Sequence, residues 1–115
     1  MIKTEFGIID NFEPDKEYKN YEPQKYSCIA IDDDRYLNDW WNSLLLIPTY
    51  NMSLRQPQTA LSRWGITLIP PESLPDLLKI VEKDGRIRKD RNLMLLAEKI
   101  HEAIIKNKYM IHYGI

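Results

Sequence analysis

The chain has 115 residues, 43% hydrophobic and 29% charged, with a net charge of −1 and one cysteine, Cys28. That length suits one domain, 1–115, with one core, and the composition excludes a disordered chain. The charge balance excludes a general pull toward nucleic acid or anionic membrane, and a lone cysteine excludes an internal disulfide or a multi-cysteine zinc site.

The first segment, MIKTEFGIID, holds no uninterrupted apolar run of signal-peptide type. Within it, Glu5–Ile9 reads as a short strand with Phe6, Ile8 and Ile9 apolar. Asp10–Lys25 is polar, contains Pro14 and Pro23, and follows neither the helical nor the strand period, so a long loop is expected. Tyr26–Ile31 (YSCIAI) has the aromatic and β-branched content of a strand, and apolar residues on both faces suggest a central one.

Asp32, Asp33 and Asp34 then introduce a helix over Arg35–Leu46. Tyr36, Leu37, Trp40, Trp41, Leu44 and Leu45 recur at spacings of three and four, the stripe of an amphipathic helix. Acids favour a helix start, and Pro48 stops the helix. Thr49–Arg63 reads as irregular, with a short helix from Pro57 to Arg63; Trp64–Ile69 is a strand closed by Pro70 and Pro71. Ser73-Leu74-Pro75-Asp76 has the order of a capped helix start, and Gly85 is placed as the left-handed residue ending that helix. Asp90–Lys108 carries the longest helical stripe, and Tyr109–Tyr113 reads as a last strand. The longest purely apolar run, Leu44–Pro48, is far too short for a membrane span. A cytoplasmic location with no membrane association is expected.

This order predicts an α+β fold: a small mixed sheet of about four short strands packed with about three helices. The second and third strands, joined through a helix, are expected to run parallel with a right-handed crossover. The motif aromatic-Gly-Ile occurs three times, at Phe6-Gly7-Ile8, Trp64-Gly65-Ile66 and Tyr113-Gly114-Ile115. It is too short for a repeat, but glycine in a strand often marks a bulge or a close backbone approach.

Catalytic signatures are not found. The three consecutive aspartates diverge in direction and lack the spacing of a calcium loop. His101 and His112 belong to no paired-ligand motif, and Cys28 sits where a small packing residue is wanted. No serine lies in a nucleophile elbow, and the four glycines form no phosphate loop. No cofactor or metal is therefore expected. Lys83, Arg86, Arg88, Lys89 and Arg91 form a basic turn broken by Asp84 and Asp90, so nucleic acid is not the expected partner.

Two features remain. The first 50 residues carry five Lys or Arg against ten Asp or Glu, whereas residues 51–115 carry eleven against seven. Seven tyrosines and three tryptophans exceed what a small core needs. The leading expectation is a non-enzymatic protein-interaction module, of the immunity or antitoxin type that masks a partner protein. Its contacts would be Tyr18, Tyr21 and Trp41, with the acids Glu13, Asp15, Glu17 and Glu22. Self-association is a further partner class. The alternative is a small-ligand binder, or an enzyme of no recognised motif, with a groove near Asp32, Asp34, Tyr50, Arg55 and Arg63.

Overall fold

The computed structural model describes residues 2–114, so Ile115 of the third aromatic-Gly-Ile motif lies outside the described residues. Six strands, β1 (Lys3–Ile9), β2 (Ile29–Asp32), β3 (Pro48–Asn51), β4 (Pro57–Thr59), β5 (Ile66–Ile69) and β6 (Tyr109–Tyr113), form one sheet. Three helices accompany it: α1 (Asp33–Leu44), α2 (Leu74–Lys83) and α3 (Arg91–Lys106). The strand order is β2-β1-β6-β5-β3-β4, and every neighbouring pair is antiparallel. The α+β class and three helices agree with the sequence, but the sheet is antiparallel rather than mixed and has six strands rather than four.

Strand alternation divides the molecule into two layers of packing. Phe6, Ile8, Ile31, Ile69 and Met110 face the helices, meeting Leu37 and Leu44 of α1, Leu77 and Val81 of α2, and Leu93, Leu96 and Ile100 of α3. The opposite face presents Ile9, Leu68, Ile111 and Tyr113. The long polar loop crosses this second face as a strap and covers it with Phe12, Tyr18 and Tyr26. Phe12 stacks on Tyr109 at 3.7 Å and on Tyr18 at 5.5 Å. The loop that lacks any regular period therefore supplies the second half of the core.

Several local expectations are corrected. β2 is an edge strand, not a central one, and starts at Ile29 because Tyr26–Cys28 belong to a turn. Ser27 takes a left-handed conformation (φ 51°), and Cys28 donates its N–H back to the Pro23 carbonyl at 2.9 Å. No parallel crossover follows β2. α1 instead carries the chain from the β2 edge to β3 near the far edge. Its 12 residues span about 18 Å, matching the roughly 19 Å of four strand spacings. Thr49–Arg63 is not irregular: β3 and β4 form a hairpin, and no helix forms from Pro57. Pro57 opens the three-residue edge strand β4, a position where a missing N–H does no harm.

Ser73 does not cap α2; its hydroxyl donates to the Pro48 carbonyl at 2.6 Å. Gly85 is not left-handed but begins a 3₁₀ turn, whose start Asp84 caps through Arg86 N–H. The left-handed helix terminus is Asn107, after α3.

Candidate functional site

At the end of the sheet where β1 begins and β6 finishes, the register lines up Glu5, Tyr113 and Ile66 across three adjacent strands. Alternation points this row to the strap side. Above it lies a cavity of about 530 Å³ lined by Ile2, Lys3, Glu5, Tyr21, Trp64 and Tyr113, with Gly65 and Gly114 at its margin. A second cavity of about 660 Å³ adjoins it along Lys3, Glu5 and Tyr21 and continues to Ser27 and Cys28.

The rings are presented differently from one another. Trp64 is 78% exposed and Tyr21 58% exposed, whereas Tyr113 is buried as the floor. Ile2, 44% exposed, adds an aliphatic rim. Large apolar groups exposed around one concavity mark a contact surface more specifically than single exposed residues do.

Trp64 is positioned by a turn. Gly65 N–H bonds the Ser62 carbonyl at 3.3 Å, Ser62 N–H bonds Thr67 Oγ1 at 2.8 Å, and Gly114 N–H bonds the Gly65 carbonyl at 2.8 Å. A Cβ on Gly114 would come within 2.4 Å of the Arg63 carbonyl oxygen, so only glycine lets β6 approach this turn. The same reason holds at Gly7, where a Cβ would fall 2.6 Å from the Tyr26 carbonyl oxygen. Two of the three aromatic-Gly-Ile glycines thus mark close backbone approach.

The turn is also fastened to α1. Arg63 pairs with the buried Asp33, donates to Asn38 Oδ1 at 2.6 Å, and lies over the Trp41 ring at 5.7 Å. Trp41, expected as a partner contact, and Arg63, expected in the ligand groove, instead hold the Trp64 turn in place.

Tyr21 is positioned by the strap. Its hydroxyl donates to Glu5 Oε1, and its ring meets Tyr113 edge-on at 5.0 Å. Tyr113 anchors both sides of it: the Tyr113 hydroxyl donates to the Asn20 carbonyl at 3.1 Å and accepts from Glu22 N–H at 3.2 Å. The bond to Glu5, with burial and the carboxylate charge adding to it, pushes the Tyr21 phenol up to about 12. Burial likewise raises Tyr113, and lifts the Cys28 thiol to about 12, leaving it a protonated packing group as its sequence setting implied.

The other expected residues disperse. Tyr18 is buried, with its hydroxyl accepting from Glu13 N–H at 3.0 Å, so it is no contact anchor. Glu17 is exposed on the strap, and Glu22 is half-buried and pairs with Lys25 at 3.4 Å. Asp32 caps α1 by accepting from Arg35 N–H at 3.3 Å, and Asp34 is exposed on its first turn. Tyr50 lies in β3 on the strap face, and Arg55 is exposed between β3 and β4. β2 and β3 are four strand spacings apart, about 19 Å, so Asp32 does not share a groove with Tyr50 and Arg55. The five-residue ligand groove expected from the sequence does not form.

His112 faces the helices, fully buried, with its ring 4.8 Å from Phe6 and Nε2 bonded to Thr4 Oγ1. Burial lowers its pKa to about 3, so the ring is neutral. Thr4 Oγ1 donates to the Tyr113 carbonyl at 3.3 Å, which leaves Nε2 as the ring's donor and Nδ1 as an unpartnered acceptor. The basic turn is used internally as well: Arg86 pairs with Asp84 and with Asp39 of α1, and covers the Tyr36 ring at 4.6 Å.

Glu5 and Tyr113 escaped the sequence reading because their roles come from a register joining residues more than a hundred positions apart. Trp64 stood among the surplus aromatics, but only the turn shows which way it points. Among the described residues, no three His, Cys, Asp or Glu side chains converge as a metal site, and no helix is long and apolar enough to cross a membrane. Compared with protein-family models, curated proteins and solved structures, the chain shows no significant match.

Proposed function

We propose that this chain is a non-enzymatic protein-interaction module, acting as a small immunity or antitoxin-like protein that covers a site on another protein. The observation that carries this reading is the convergence of Tyr21, Trp64 and Ile2, all exposed, on one cavity whose walls are fixed by the sheet and the strap. Rigid, amphipathic rings around a pocket are the usual anchors of protein interfaces. Their backing fits the same role. Tyr113 holds the strap on both sides of Tyr21, and the Arg63–Asp33 pair holds the Trp64 turn, so little ordering would be needed on binding.

The test is site-specific cross-linking in cells, with a photoreactive phenylalanine analogue placed at position 64. The same analogue at position 105, an exposed isoleucine site on α3, serves as control. One discrete heterologous product from position 64, absent from position 105 and abolished by Tyr21→Ala, is expected. No product, or the same pattern from both positions, overturns the reading. A product of twice the chain mass identifies a second copy and overturns the masking role.

A further inference from the structure

We propose that the cavity between Tyr21 and Trp64 receives the guanidinium group of an arginine on the partner protein, with the rings as walls and Glu5 as counter-charge. This rests on the interaction reading above and specifies the partner's contacting side chain.

Glu5 is only 8% exposed, yet among the described residues no cation pairs with it; its one hydrogen bond is from the Tyr21 hydroxyl. Carboxylates this buried are ordinarily paired. Among the described residues, the buried side-chain polar atoms left without partners belong to Asp33, Arg63 and His112, so the rest of the Glu5 carboxylate opens to the cavities it lines.

Three rings, Tyr21, Trp64 and Tyr113, line the same space. Aromatic faces attract cations, and a planar, weakly hydrated guanidinium stacks on them better than an ammonium does. The molecule builds this arrangement twice from its own residues. Arg63 lies over Trp41 and pairs with Asp33; Arg86 lies over Tyr36 and pairs with Asp84. At Glu5 the rings and the acid are present, and the arginine must come from outside.

The strap as a whole carries net negative charge: residues 10–28 hold five acids against three lysines, of which Lys16 and Lys25 are engaged by Glu13 and Glu22 and Lys19 is exposed. Lys3 also lines the cavity, but it is exposed and forms no ion pair with Glu5.

The experiment titrates N-acetyl-arginine methylamide into the full chain and follows the Trp64 indole N–H resonance, assigned with Trp64→Phe. N-acetyl-citrulline methylamide, the neutral analogue of similar shape, is the reference ligand. Saturable binding of the arginine probe with a Kd of about 1 mM is expected, with at least roughly tenfold weaker binding of citrulline. Glu5→Gln keeps an acceptor for Tyr21 and should weaken the arginine probe about tenfold while leaving citrulline unchanged. Equal binding of both probes, or an unchanged Glu5→Gln, overturns the proposal. Binding that appears only in Lys3→Met also overturns it, because the cavity is then satisfied by the chain's own lysine. If position 64 still cross-links a partner while the arginine probe fails, the interaction reading stands and this inference falls; the converse result separates them the other way.

Discussion

Burial holds the His112 imidazole neutral, with its pKa at about 3 against about 6.5 in an unfolded chain. Between those values the unfolded chain binds a proton that the folded one refuses. Stability from this group is therefore complete above about pH 6.5 and lost as pH falls toward 3, by up to about 1.4 kcal/mol per pH unit. Urea midpoints measured from pH 7.5 to 4.5 should fall steeply for the parent chain. His112→Gln should flatten that slope whatever its absolute stability, and an equally steep slope in the variant would remove His112 as the cause. Glycine gives a second contrast at this scale. Gly114→Ala should cost about 1–3 kcal/mol, because the new methyl meets backbone that cannot rotate away. Gly85→Ala should be neutral or stabilising by about 0.4–1 kcal/mol, since nothing lies within 4 Å and its φ is not left-handed. Thermal or urea melts of the two variants decide both.

At the scale of elements, the Asp84 carboxylate helps to join α1 to the turn after α2. Asp84 accepts from Trp40 Nε1 at 2.9 Å and from Arg86 through its backbone and side chain. Chiefly through Arg86, its pKa is lowered to about 2. The stability it contributes is present above the ordinary carboxylate value near 3.9 and is lost as pH falls through 2. Arg86 is partly exposed, so screening limits the effect. Asp84→Asn should cost about 1 kcal/mol at pH 7 and less than half of that near pH 2, where the native carboxylate is half protonated. An undiminished deficit at pH 2 would assign the loss to packing instead. The helices were legible in the sequence because their apolar residues recur at a fixed interval. Leu93, Leu96, Ala97 and Ile100 report a buried face without reference to any other segment. β3 and β4 were not legible: PTYN and PQT carry little apolar alternation, and their pairing is decided by the hairpin geometry. The strap was equally opaque, since Phe12, Tyr18 and Tyr26 find their places against Tyr109 and Tyr113 from the far end of the sequence. Tyr21 could be read as an exposed ring in a polar loop, whereas Glu5 looked like one more polar residue in a strand. Only the register beside Tyr113 turns it into the counter-charge of a cavity.

On the scale of the whole molecule, the opposed charges of the two halves are partly joined inside the fold, through Arg63 with Asp33 and Arg86 with Asp39. The sheet itself is joined by β6, which alone links β2-β1 to β5-β3-β4. A chain ending at Asn107 should lack cooperative unfolding and dispersed amide resonances; retention of either would show that the two parts of the sheet are stable apart. The pairing of β1 with β6 also sets an order of events during translation. β1 is made about a hundred residues before β6, one of its two neighbours in the sheet. Until β6 emerges, the backbone of β1 is open along that side, and the nascent chain must be kept from pairing with the wrong edge. Any chaperone that attends this protein would be needed most at β1.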